Sequence, residues 1–213
     1  MSINATWSTW GIPCNLTYGD CGCDNCVGEL TDVSTRLDDI QNYQANLKGQ
    51  GSKPNWAVIQ AFGEQDYWKS IPSPAEVENM MMLAVNHNAK GISYWIYPST
   101  NDVNVGSGQL GKDFQTQPGI DFLFGTNAIK GLLTTGEALV DASAWIVGQK
   151  IMVGVASGEY VDSSAVVTIT LPVNVSSVDQ VLYGDSGWSV NANTLLKKGL
   201  KGLEVGVVVL TLI

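Results

Sequence analysis

Residues 56–98 constrain the fold more than any other part of the chain, because two strand-like apolar runs flank a helix that carries its own start signals. The first run, WAVIQAF (56–62), follows the breaker pair Lys53-Pro54, and the second is GISYWIYP (91–98). Between them, in SIPSPAEVENMMMLAVNHN, Ser73 stands at an N-cap, Pro74 at the first helical position and Glu76 where it completes a capping box. Val77, Met80, Met81 and Ala84 form one apolar stripe, so the methionines read as core. Strand, helix and strand within about 45 residues predict a βαβ unit with a right-handed crossover and parallel strands. Both strands then end at the same sheet edge, where α/β proteins bind their ligands. That edge gathers Gln60, Phe62, the segment EQDYW (64–68), Trp95 and Tyr97.

Alternation assigns faces. Ala57, Ile59 and Ala61 share one face of the first strand, as Ile92, Tyr94 and Ile96 do on the second, and these aliphatic faces are expected to meet the helices. Gln60, Ser93, Trp95 and Tyr97 are then expected to point the other way. Upstream, Asp32 to Leu47 reads as a helix capped by Asp32, with Val33, Leu37, Ile40 and Leu47 on its stripe. A short helical stretch is expected over Ile120 to Leu133. Beyond it the pattern turns to β-branched runs and turn signals, including Gly184-Asp-Ser-Gly187, which predict a small antiparallel sandwich of about six to seven strands.

The chain has 213 residues, 45% of them apolar, and seven tryptophans, ample for a packed core. Eleven basic against twenty acidic side chains give a net charge of −9, and Lys197-Lys198 is the densest basic run. Phosphate recognition rests on basic patches, so neither a nucleic-acid nor an anionic-membrane partner is expected. The apolar runs fall short of the roughly 18 residues of a membrane helix.

Cys14, Cys21, Cys23 and Cys26 all lie within CNLTYGDCGCDNC, and Asn4, Asn15 and Asn174 begin N-glycosylation motifs. Clustered thiols in an otherwise cysteine-free chain predict two disulfides and an oxidising, extracellular location. A four-thiolate zinc site is the rival reading, with awkward ligand spacing. MSINATWSTW has the features of no signal peptide, so a secreted origin implies a missing N-terminus.

The run KPNWAVIQAFGEQDYWKSIPSPAEVENMMMLAVNHNAKGISYWIYP, preceded by CGCDNC and DVSTRLDDI and followed by a β-rich tail ending in VGVVVLTL, resembles the C-terminal part of secreted fungal (β/α)8 glycoside-hydrolase-like proteins. The resemblance implies that the two strands are the last two of eight and that the tail is an appended β-sandwich. The expected fold is therefore α/β plus all-β. A partial (β/α)8 barrel of the last two to three βα units occupies residues 1–134, its third strand a remnant near Trp7 to Ile12, and a small antiparallel β-sandwich occupies 135–213. With several strands missing, the barrel part is expected to be marginal on its own, and proteolysis to spare a fragment starting between Pro118 and Glu137.

Glycosidases use two carboxyl groups, about 5.5 Å apart when retaining and further apart when inverting. In barrels of this kind the two come from different strands, typically the fourth and seventh. Here Gln60 stands where a nucleophilic glutamate is expected, Glu64 lies four residues on, and the strand resembling the fourth is absent. Glu64 is the catalytic candidate, against a solvated loop pair with Asp66; Gln60, Tyr67, Trp68, Trp95 and Tyr97 are the candidate sugar contacts, against plain core. His87 has no nucleophile motif near it, Asp102-Val-Asn104-Val-Gly106 lacks the closing acid of a calcium loop, and no nucleotide fingerprint occurs, so neither metal nor cofactor is expected. Three functions are carried: a fragment of a hydrolase of O-glycosidic bonds, inactive alone; a non-catalytic carbohydrate-binding remnant; and a protein-interaction β-domain.

Overall fold

The computed structural model describes residues 28–47, 53–64 and 70–213. Helix α1 (Asp32–Asn46) comes first, then the predicted unit as β1 (Asn55–Gln60), α2 (Pro74–Asn86) and β2 (Ala89–Trp95). The two strands pair in parallel, Trp56 opposite Gly91 and Gln60 opposite Trp95. The capping box is formed: the Glu76 N–H donates to Ser73 Oγ (3.3 Å) and the Ser73 N–H to Glu76 Oε2 (2.7 Å). Thr31, not Asp32, occupies the N-cap of α1, and Asp32 sits in the first turn, where its carboxylate accepts the Gly28 N–H. Val33 and Leu37 are buried, whereas Ile40 and Leu47 are exposed, because the apolar stripe of α1 runs past the surface that α2 and β1 offer it.

Helix α3 (Asn101–Gln115) covers the stretch weighed as a calcium loop, and α4 (Gly119–Gly125) is shorter than the Ile120 to Leu133 expectation. In α3, Val103, Ser107, Leu110 and Phe114 recur at helical spacing and are buried, but Gly106, Gly108 and Gly111 dilute that signal with poor helix formers. Gly106 has a packing reason: a Cβ there would lie 2.8 Å from Pro74 of α2.

Eight strands follow: β3 (Thr134–Thr135), β4 (Val140–Val147), β5 (Lys150–Ser157), β6 (Ser163–Thr170), β7 (Val175–Tyr183), β8 (Trp188–Asn191), β9 (Thr194–Leu200) and β10 (Val205–Leu212). They form two antiparallel sheets, ordered β4-β5-β10-β7 and β3-β6-β9-β8, with Val153, Val208, Ile169 and Leu195 in the core between them. Strand β9 carries a weak sequence signal because Lys197-Lys198 reads as surface. Lys197 is 7% exposed, paired with the Glu204 carboxylate, its Nζ 5.2 Å from the Trp188 ring centroid.

The outer face of the β4-β5-β10-β7 sheet is not solvated. Trp145, Met152, Val207 and Val209 join Met80, Met82, Leu83, Ile59 and Ala57 in one core, so α2 lies between the parallel pair and this sheet. That is why α2 is buried from Met80 to Asn86 on every side rather than along one stripe. Its buried asparagines donate to the sheet: Asn79 Nδ2 to the Ser157 carbonyl (2.7 Å) and Asn86 Nδ2 to Asp141 Oδ1 (2.6 Å). The β region thus has one core between its own two sheets and shares a second with α2. No described helix is long and apolar enough to cross a membrane.

Candidate functional site

The C-terminal edge of the parallel pair is closed by short contacts. The Ala61 N–H donates to the Trp95 carbonyl (2.7 Å), and Ser99 Oγ donates to the Ala61 carbonyl (2.6 Å), tying the segment after β2 to the end of β1. A Cβ on Gly63 would lie 2.1 Å from the Ser70 carbonyl oxygen, so the chain that leaves β1 returns against its own backbone and only glycine fits there. Between these points Glu64 is exposed and holds a left-handed φ of 58°, a conformation that non-glycine residues adopt at a cost.

The face assignment holds for the aliphatic side: Ala57, Ile59 and Ala61 are buried against the helices, and Ile92 and Tyr94 pack on the same core. Ile96 departs from it, lying past the end of β2 and exposed. On the opposite face Trp56 is 64% exposed and Trp95 61%, with Tyr97 beyond them at 73%. The Trp56 indole lies flat across β2, such that a Cβ on Gly91 would meet its ring at 2.5 Å. Gln60 corrects the expectation of a displayed amide. It is 1% exposed, and its Nε2 donates to the Phe62 carbonyl at 2.8 Å, so local backbone uses its donor. Among the described candidates, then, Glu64, Trp95 and Tyr97 are open to solvent at one edge and Gln60 lies beneath it.

Tyr67, Trp68 and Asp66 lie outside the described residues, as do Cys14, Cys21, Cys23, Cys26, Asn4, Asn15 and the segment Trp7 to Ile12. Asn174 is exposed between β6 and β7, its carbonyl accepting the Ile213 N–H (3.3 Å).

Other carboxylates near the start of α2 have different partners. Glu76 accepts the Tyr160 hydroxyl (2.8 Å), and burial pushes the Glu78 carboxyl above its usual range against a bond with Tyr183. Burial, with Glu78 beside it, likewise raises the Tyr183 phenol. Among the described residues the rim therefore presents one carboxylate, Glu64, and no acid/base pair. No group of three or more metal-ligating side chains occurs among the described residues.

A cavity of about 840 Å³ sits elsewhere, between β2 and helices α2, α3 and α4, lined by Met81, Tyr94, Phe114 and Phe124 among others. Lys90 at its wall donates to the Leu123 (2.5 Å) and Thr126 (3.1 Å) carbonyls, and burial lowers its pKa. None of the described rim candidates lines this space.

No protein-family model and no curated protein matches the chain by sequence. Solved structures do match by shape. An Anoxybacillus α-amylase aligns at a TM-score of 0.58 and 9% identity, over 86% of this chain and 46% of its own. A Geobacillus thermoleovorans α-amylase, solved with acarbose, aligns at 0.56 and 11% identity, over 83% and 43%. CelM2, a bifunctional glucanase-xylanase from a metagenome library, aligns at 0.51 and 13%, over 100% and 38%. The fold is glycoside-hydrolase-like, and the chain spans less than half the length of each of these structures.

Proposed function

We propose that the chain is the closing part of a (β/α)8 glycoside-hydrolase-like barrel, in which β1 and β2 are the last two strands and β3 to β10 an appended β-sandwich that shares its core with α2. The observation that carries this reading is the parallel pair itself. Parallel sheets are normally covered on both faces, yet Trp56 and Trp95 stand open on the face away from the helices. In a closed barrel that face is the packed interior below and the ligand site at the C-terminal rim. The shape match to glycoside hydrolases over less than half of their own length supports the same reading.

On this reading Trp95 and Tyr97 supply aromatic faces for a sugar ring and Glu64 is the carboxylate that the chain brings to the rim. Hydrolysis of an O-glycosidic bond needs a second carboxyl group at a set distance, and the missing strands would carry it. The chain alone then binds carbohydrate without turning it over. The reading also puts the chain outside the cell, with Cys14, Cys21, Cys23 and Cys26 in two disulfides and Asn4, Asn15 and Asn174 as acceptor sites. Titration of the 213-residue chain with acarbose, maltoheptaose and xylohexaose, followed through the indole resonances, is expected to move the Trp95 signal. Trp95→Ala is expected to weaken that binding by about 1 to 2 kcal/mol, the scale of a stacked aromatic anchor. No response to any of the three sugars, or equal binding by Trp95→Ala, would remove the rim from the site.

A further inference from the structure

The one histidine of the chain sits where three elements meet. His87 is the C-cap residue of α2, and its ring lies between two carboxylates on different elements. Nε2 is 2.9 Å from Asp141 Oδ2 on β4, and Nδ1 is 3.0 Å from Asp38 Oδ2 on α1, the latter a close charge contact rather than a well-aligned hydrogen bond. A neutral imidazole has one N–H and one lone pair, so it can satisfy one of these carboxylates and must turn a lone pair toward the other. Only the doubly protonated ring suits both. The end of a helix also favours a cation there.

The surroundings make this a junction. Lys130 Nζ reaches Asp38 Oδ1 (2.5 Å) and Gln41 Oε1 (3.2 Å), and it follows Ile129, which bridges Ala144 of β4. Gln41 Nε2 donates to the His87 carbonyl (2.7 Å), and Asn86 holds the other oxygen of Asp141 (2.6 Å). The charged groups facing the ring are thus Asp38 from α1 and Asp141 from β4, with Lys130 behind Asp38.

We infer that Asp38, His87 and Asp141 form a proton-operated latch that ties α1 to the β4 sheet across the end of α2, closed when the ring carries both protons and loosened when it loses one. The direction of titration agrees. Burial pulls the His87 pKa down, but the bonds and charges of Asp141 and then Asp38 outweigh it and hold it above the ordinary 6.5. A raised histidine stabilises the fold fully below its unfolded value, and that contribution disappears as pH rises through the folded one. Burial raises the Asp38 carboxyl, but Lys130 and His87 outweigh it and hold it below 3.8, so its share is lost only at more acid pH. The latch is therefore closed between about pH 4 and 6.5 and opens above that window. Because α1 packs on β1, the strand leading to Gln60 and Glu64, its loosening reaches the base of the rim.

The test is amide hydrogen exchange across α1 in the 213-residue chain from pH 5.5 to 9, corrected for intrinsic rates, with a parallel NMR titration of the ring nitrogens. Expected is a ring that titrates above 6.5 and a severalfold loss of α1 protection over the same interval, as linkage requires of a histidine whose pKa is raised on folding. His87→Gln should exchange with no such step, and Asp38→Asn should lower the histidine pKa. A ring titrating at or below 6.5, protection flat across the interval, or an unchanged step in His87→Gln would overturn the latch. Should His87→Gln not fold, the wild-type titration decides alone.

Discussion

Single glycines and single polar atoms fix how the layers of this chain approach each other. Gly154 in β5 faces α2 so closely that a Cβ there would lie 2.4 Å from Met82 Cε and 2.6 Å from Asn86 Oδ1. The methionine tip can swing away; the Asn86 amide cannot without loosening its hold on Asp141. Gly154→Ala is therefore expected to cost about 1 to 3 kcal/mol of stability by overpacking, read as a drop in the denaturation midpoint at unchanged slope. A midpoint within error of wild type would show that the helix and sheet have slack. At the rim the same scale explains why the reading of Gln60 failed. Strand alternation gives the face on which a residue starts, but a flexible amide at the last residue of a strand can turn onto the backbone just beyond it, as Gln60 does onto Phe62.

Helix α2 was the most legible element, since its capping box, first-position proline and apolar spacing agree, and it begins at Pro74 as expected. Both parallel strands and most of the β segments were legible for a like reason: long β-branched runs between turn residues. Elements whose composition conflicts with their state were not. Three glycines hid α3, and a buried lysine hid β9, because its partners Glu204 and Trp188 come from other elements. The role of α2 was illegible too, since periodicity shows one buried stripe and cannot show that a second sheet covers the rest. That second contact changes how the chain should unfold. Removing the helical part would bare Trp145, Met152, Val207 and Val209, so the β region is not expected to survive alone. Thermal unfolding followed by far-ultraviolet and near-ultraviolet dichroism should give coincident transitions. A β fragment starting between Pro118 and Glu137 that resists protease would contradict this and restore two independent units.

For the whole molecule, the proposal is that the parallel pair β1-β2 belongs to a larger closed sheet. Barrels avoid open edges and open apolar faces by closing on themselves. Exposed Trp56 and Trp95, together with shape matches to glycoside hydrolases that align over less than half of their own length, support the proposal that the chain is part of a barrel. The candidate site was only partly legible because the chemistry proposed for it depends on a distance between two carboxyl groups, which sequence spacing alone does not give. The most direct measurement is turnover by the purified 213-residue chain on a panel of α- and β-linked oligosaccharides, alongside Glu64→Gln. The account predicts no release of reducing ends by either protein. Hydrolysis by the wild-type chain that disappears in Glu64→Gln would contradict it, and would mean that this chain, alone or as a dimer, completes the acid/base pair by itself.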